Sequence, residues 1–494
     1  MSAYEELEKR FHRIAALEEA IGLLHWDMAV LMPSGGATSR TEQLTALTMT
    51  IHELKTKADM ANLLRLAETE IGGDKWKVAN VKEMRRNWVH ADAVEGKLVN
   101  EMTRACAECE LAWRVARKQN DFQLVLPSLQ VVLDLVREVA AAKASALGCS
   151  SYEALLDQYE PGANIVKVDS IFTELSECLP DLLEDALARQ QQRSVALPLK
   201  GPFPVSKQRA LAKKLIACIG FDFSAGRLDE STHPFCGGVP GDIRITTRYS
   251  KKDFTKSLMG VLHETGHALY EMGRPSRWRY QPVGEARGMV LHESQSLLIE
   301  MQVCRSKEFL NYVAPLFRET FDGEGLAWTT DNIHRLYTMV NPGFIRVDAD
   351  EITYPSHVLI RYNLEKAMIE GSLTPRELPN AWNDSMEKIL GIRPGEDRLG
   401  CLQDIHWYDG AWGYFPTYTL GALAAAQLYR AALSEIPEIL EGINKGDFAL
   451  LREWIGKNVH EKACLGTTDE LLEAATGRPL NAEDYKLHLK ARYT

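Results

Sequence analysis

Apolar residues recur with a helical period along most of the chain. Over residues 3–24, Leu7, Phe11, Ile14, Ala15, Leu17, Ile21 and Leu24 fall close to one stripe of a 3.6-residue repeat. Pro33, Gly35 and Gly36 break the pattern within HWDMAVLMPSGGATSR, and it resumes over 39–70. Further helices are predicted at about 78–120, 122–148 and 166–193. Pro198, Gly201, Pro202 and Pro204 then mark a loop, after which Ser206 is placed to cap a helix running to Ile219. The stretch 221–250 differs. Its segment DIRITTRYS alternates, carries β-branched Ile243, Ile245, Thr246 and Thr247, and follows two glycine–proline turn clusters, which predicts a short strand or hairpin. Helical periodicity returns over 253–272, 287–318, 330–341, 355–370, 378–390, 417–435, 447–458 and 468–475. No repeat, low-complexity tract or composition break marks a linker, and the tail 476–494 carries no motif. The expected fold class is mainly α, a single large helical domain over residues 1–494.

Composition narrows the class of function. At 494 residues, 45% hydrophobic and 25% charged, the chain has ample material for a core. Its net charge of −11 is opposite to the basic footprint of a nucleic-acid binder and gives an anionic membrane no attraction. No run of 18 apolar residues appears, and the N-terminus lacks the apolar core of a signal peptide, so a cytoplasmic protein is expected. Nine irregularly spaced cysteines do not form a disulfide framework. The C-x-x-C at Cys106 and Cys109 has no second pair to complete a zinc ribbon, so free thiols in a reducing compartment are expected.

Candidate chemistry concentrates in DFTKSLMGVLHETGHALYEMG, residues 253–273. Asp253 can cap this helix and Gly273 can end it. Within it, His263-Glu264-Thr265-Gly266-His267 is an H-E-x-x-H. Residues four apart share one helix face, so two imidazoles can reach one metal ion. Glu264 is then placed to activate the metal-bound water without ligating the metal itself. A surface helix with incidental histidines is the bland alternative. A metzincin would place glycine at 270 and histidine at 273, where this chain has Tyr270 and Gly273, which excludes that class. The third ligand is then expected to be a glutamate on a following helix. Glu293, in His292-Glu293-Ser294-Gln295, lies 26 residues beyond His267, enough for an antiparallel return. Glu285 is its local rival, and His292 could ligate with Glu293 behind it. Two imidazoles and a carboxylate leave zinc an open position and suit amide hydrolysis.

The motifs flanking that helix resemble those of the carboxypeptidase Taq family of zinc metallocarboxypeptidases. They occur in order: Trp26-Asp27 through Met32-Pro33, Gly35, Gly36 and Arg40; His233-Pro234-Phe235; Asp242-Ile243-Arg244-Ile245-Thr246; H-E-T-G-H; H-E-S-Q; Ile345-Arg346-Val347-Asp348-Ala349-Asp350; and Gly400-Cys401-Leu402-Gln403-Asp404-Ile405-His406-Trp407. The resemblance runs from about residue 20 to 420. It implies an α-rich fold with a deep active-site groove, a small β-sheet on its wall, a further part of the wall from about residues 1–200, and a homodimer. It implies that His263, His267 and Glu293 bind one zinc ion per chain, with cobalt able to substitute, and that Glu264 is the general base. It also implies peptide substrates trimmed one C-terminal residue at a time with broad side-chain tolerance.

Other residues acquire candidate roles from the same resemblance. An arginine fork suits recognition of a terminal carboxylate, and Arg346 is the one the family points to, unless it only joins helices through Asp348 or Asp350. Asp242 and Arg244 alternate on the expected strand and either line the groove or pair with each other. His406 is a candidate to hydrogen-bond the oxyanion or the substrate backbone. Tyr418, ahead of Tyr362, is the candidate phenol that completes the oxyanion site, with a buried core tyrosine as the alternative for each. Rival readings are a groove-shaped dipeptidyl carboxypeptidase or oligopeptidase, and a helical scaffold with structural zinc. Structural zinc sites are usually cysteine-rich, and no cysteine lies near the two histidines.

Overall fold

A computed structural model describes residues 2–494. Among these residues are twenty α-helices and one sheet of three strands, so the chain is mainly α. It forms two compact units, each assembled from three separate segments.

The first unit comprises the chain up to Ala91, Val195–Tyr337 and Gly421–Leu480. Its opening helix, Ala3–Val30, starts at a capping box in which Ser2 and Glu5 satisfy each other's backbone N–H groups. The apolar stripe read from the sequence is its core face: Leu7, Phe11 and Ile14 pack with Ile51, Leu54, Met60, Leu64 and Ala67. The helix expected over 39–70 is two, Ala37–Lys55 and Met60–Glu70. Between them Asp59 turns aside to take a two-pronged contact from the Arg10 guanidinium, at 2.8 and 3.0 Å. The helix expected over 78–120 likewise divides, into Lys75–Asp92 and Gly96–Gln119. In both, the stripe continues across a gap of a few residues, which periodicity alone does not register. Ser206 is not a cap, because the helix Val205–Ile219 already begins behind Pro204.

The expected strand or hairpin is three strands: β1 (Gly226–Glu230), β2 (Cys236–Val239) and β3 (Asp242–Thr247), ordered β1-β3-β2. β2 and β3 are antiparallel across a turn at Pro240-Gly241, where Gly241 takes φ 86°. β1 runs parallel to β3 and pairs Leu228 with Ile245. Ile243 and Ile245 are buried, and the helix Thr255–Gly273 packs against β3 and against the helix Gly288–Leu297.

The second unit comprises Asp92–Ser194, Thr338–Leu420 and Asn481–Thr494. Its helix Tyr354–Glu370 packs against Leu126–Leu147 and Ile165–Gln191. The motif-free tail forms a helix, Glu483–Tyr493, and that helix closes on one buried carboxylate. Glu351 accepts from His488 at 2.7 Å, Tyr493 at 2.9 Å and Arg492 at 3.1 Å. No helix among the described residues is long and apolar enough to cross a membrane.

Candidate active site

The H-E-x-x-H helix spans Thr255–Gly273. Phe254, not Asp253, takes the N-cap position; Asp253 stands one residue earlier and accepts from the backbone N–H and the hydroxyl of Thr255 at 2.8 and 2.6 Å. Gly266 decides what the helix can approach. A Cβ there would lie 2.2 Å from the Gln295 carbonyl oxygen and 2.5 Å from Ser296 Cα, so only glycine lets the backbone of Gly288–Leu297 come this close. Gly421 makes the second such contact, since a Cβ there would press on Glu293 Cβ at 2.8 Å.

This approach brings Glu293 to the two histidines. Its Oε2 is 3.4 Å from His267 Nε2 and 3.9 Å from His263 Nε2, and one atom from each of the three residues lies within 4.8 Å of the others. Ligands about 2.1 Å from a tetrahedral zinc ion are roughly 3.4 Å apart, so the donor set fits. Both Nδ1 atoms are engaged elsewhere: His263 Nδ1 lies 3.0 Å from Glu300 Oε2, and His267 Nδ1 lies 3.0 Å from the His292 carbonyl oxygen. Each Nε2 therefore faces Glu293. His292, the alternative ligand, stands behind His267, with its Nδ1 2.7 Å from His267 Nδ1 and its Nε2 2.9 Å from Glu271.

The electrostatics are those of a cation site. Burial alone would lower the pKa of His263, but Glu293, Glu300 and Glu264 together raise it to about 10. Glu293 falls to about 2, because the three histidines outweigh its burial. Glu264 rises to about 7, chiefly through burial. His267 goes the other way, to about 4, under burial and the nearness of His292.

A second buried cluster lies in the other unit. Arg346 reaches Asp404 Oδ1 from Nη2 at 2.8 Å and from Nε at 3.2 Å, and its Nη1 donates to the Tyr354 hydroxyl at 2.9 Å. Arg361 donates from Nε to Asp404 Oδ2 at 2.6 Å. Two guanidinium groups thus share one carboxylate. They overcome burial and hold the Asp404 carboxyl far below its usual range, while burial and then Arg346 lower His406 to about 4. His406 Nε2 lies 3.3 Å from the Tyr418 hydroxyl, and Tyr418 spreads its ring 4.9 Å from the Arg346 guanidinium carbon.

A family model for the carboxypeptidase Taq (M32) metallopeptidases matches residues 6–493. The chain belongs to that family. Thermostable carboxypeptidase 1 of Thermus thermophilus is 36% identical over 100% of this chain and 98% of the relative. Carboxypeptidase 1 of Bacillus subtilis is 32% identical over 98% of this chain and 96% of the relative. The solved structure of Trypanosoma cruzi metallocarboxypeptidase 1 superposes with a TM-score of 0.97 at 40% identity, covering 99% of each chain.

Against that family background, the remaining expected residues fall into place or out of it. Asp242 and Arg244 pair with each other, at 3.0 and 2.6 Å, and Arg244 stacks its guanidinium carbon 4.2 Å from the centre of the Trp26 ring. The early W-D segment and the strand motif therefore meet. Arg346 pairs with neither Asp348 nor Asp350 but with Asp404, joining the I-R-V-D-A-D and G-C-L-Q-D-I-H-W motifs. Tyr362 is a correction: it is 1% exposed, packs edge-on to Tyr152 and Phe172, and gives its hydroxyl to Asp169 at 2.6 Å. That arrangement is a core tyrosine, not a substrate contact. Sequence reasoning also missed Glu300, Glu271 and Arg361. Glu300 had one available signal, its position seven residues beyond Glu293 on a common helical stripe.

Proposed function

We propose that this chain is a zinc-dependent metallocarboxypeptidase that releases single C-terminal residues from peptides with broad side-chain tolerance. The observation that carries this reading is the convergence of His263, His267 and Glu293 within 4.8 Å, with Glu264 on the same helix turn as both histidines. Zinc held there supplies Lewis acidity, drawing charge from a carbonyl oxygen and bringing the pKa of water towards neutrality. His263, His267 and Glu293 bind and orient. Glu264 moves the proton: its carboxylate accepts one from the attacking water and passes it to the departing amine.

Arg346 is assigned to the substrate's terminal carboxylate. Three of its donor atoms are in use, yet the cluster with Arg361 and Asp404 keeps one positive charge in excess, which a carboxylate would neutralise. His406, neutral because of its lowered pKa, and Tyr418 are assigned hydrogen bonds to the developing oxyanion. Asp242 and Arg244, bound to one another, shape the substrate site rather than react. We take residues 1–494 to work as one catalytic unit, since the family match spans 6–493. A cytoplasmic homodimer that also accepts cobalt completes the reading on the family resemblance.

Incubating a defined peptide with the protein and reading products by mass spectrometry tests it. A ladder losing one C-terminal residue per step is expected, with no cleavage of the C-terminally amidated peptide. Loss of dipeptides, internal cuts or equal turnover of the amide would overturn the assignment.

A further inference from the structure

The helix that carries Glu293 changes register just beyond it. Gly288–Leu297 is α-helical, and Leu298–Val303 is a π-helical segment, the single one among the described residues. A π turn widens the backbone ring to i→i+5, is rare, and occurs frequently at functional sites. The polar residue in this segment that reaches the histidine pair is Glu300. It is 8% exposed, with Oε2 3.0 Å from His263 Nδ1 and Oε1 2.6 Å from Arg305 Nη2.

Glu293 and Glu300 are seven residues apart, which is about two helical turns and roughly 10 Å along the axis. Both therefore project to one side, and between them stands a single imidazole. Glu293 Oε2 lies 3.9 Å from His263 Nε2, and Glu300 Oε2 lies 3.0 Å from His263 Nδ1. Glu300 thus holds one nitrogen of the ring directly, while Glu293 faces the other across a gap. His267 is held differently, with only the neutral His292 carbonyl and the His292 ring at its Nδ1.

We propose that Glu300 is the positioning residue of the metal centre. By accepting the Nδ1–H of His263, it fixes the tautomer whose Nε2 lone pair faces Glu293 and His267. Its negative charge also makes that imidazole the stronger electron donor of the two. Arg305 holds the other carboxylate oxygen, so the group cannot swing away. The inference rests on the metal reading given above.

The test is zinc affinity, measured by competition with a chromogenic chelator on wild type, Glu300→Ala and Glu300→Gln, alongside thermal unfolding of each metal-free protein. Glu300→Ala is expected to bind zinc about 10- to 100-fold more weakly. Glu300→Gln, which keeps an acceptor but loses the charge, should fall between, and it carries the test if the alanine variant does not fold. Metal-free wild type and Glu300→Gln should unfold at similar temperatures. Variants that bind zinc within twofold of wild type, whether or not they are less stable, overturn the proposal and leave the metal reading intact. Wild-type protein that binds no zinc overturns both.

Discussion

Two buried clusters in this protein have opposite electrostatic character. Around the H-E-x-x-H helix, Glu264, Glu271, Glu293 and Glu300 gather beside three histidines, with Arg274 and Arg305 in opposition. Around Arg346 the balance reverses, with two guanidinium groups on one aspartate. Histidine serves as the probe. His263 rises to about 10 in the first cluster, whereas His406 falls to about 4 and His357 to about 3 in the second, where burial and the arginines act together. His267 departs from the pattern because burial, with His292 and His263 beside it, outweighs the pull of Glu293. One surplus calls for a cation and the other for an anion. In the function proposed above, the first takes a metal ion and the second the terminal carboxylate of a peptide.

Glu264→Gln should break the first side hardest. Amide replaces carboxylate with almost no change in shape, so zinc should bind in unchanged stoichiometry while kcat falls about 10⁴-fold. Metal analysis with steady-state kinetics checks it, and full activity with zinc bound would remove Glu264 from the mechanism. Arg346→Met probes the second side. It deletes the fork but leaves Arg361 to hold Asp404, and kcat/KM on free-terminus peptides should drop about 10³-fold, mainly through KM. Zinc affinity should not move. If it does, the two clusters are not separate in function.

What could be read in advance follows the distance over which each feature is encoded. His263, Glu264 and His267 lie within about one turn of one helix, so spacing alone presents them together. Glu293 depends on how the chain returns, and three candidate ligands, Glu293, Glu285 and His292, stayed open there. The structure separates them through Gly266, whose role as a contact point is invisible until the second helix is in place. Glu300 was missed although its spacing of seven residues from Glu293 puts it on the same helical stripe, because the imidazole it meets comes from another helix. For Arg346 the alternative to a substrate carboxylate was an aspartate two or four residues along, yet the aspartate it pairs with, Asp404, is 58 residues away. Tyr362 was misplaced because a tyrosine's neighbours, here Asp169, Phe172 and Tyr152, come from other helices. Helix positions survived better than helix ends, since an apolar stripe persists across the gap at Asp59 while the backbone does not.

Glu365 sharpens the comparison from within the arginine-bearing unit. It is fully buried and faces neutral donors, among them the Trp407 indole at 3.0 Å and the Gly413 backbone N–H, so burial raises it from 4.5 to about 7. Asp404, beside two arginines, shifts down. A carboxyl whose folded pKa is raised contributes stability that is complete below pH 4.5 and is lost as pH rises through about 7. Wild type should therefore lose about 3 kcal/mol across that window relative to Glu365→Gln. Denaturant unfolding at several pH values measures the difference, and parallel pH profiles for the two proteins would show that Glu365 is not the titrating group.

The smallest effect asks what holds the cation site together. The arginine cluster depends on long side chains reaching an aspartate, whereas the metal cluster depends on two backbones touching at Gly266. Glycine there has ordinary helical φ, so the constraint is space alone. The obstructing atoms, the Gln295 carbonyl oxygen at 2.2 Å and Ser296 Cα at 2.5 Å, are backbone and have no rotamer to change. Gly266→Ala must therefore push Gly288–Leu297 away, carrying Glu293 from the histidines. A loss of about 2 kcal/mol in the metal-free chain is expected, with weaker zinc binding on top. Gly260, on the same helix, supplies the internal contrast: a Cβ there meets only Pro234 Cγ at 3.9 Å. Gly260→Ala should be neutral or stabilising by up to about 1 kcal/mol through helix propensity, with zinc affinity unchanged. Equal behaviour of the two variants in thermal melts and chelator competition would mean that glycine acts here through helix flexibility, and that the close approach at Gly266 does not set the position of Glu293.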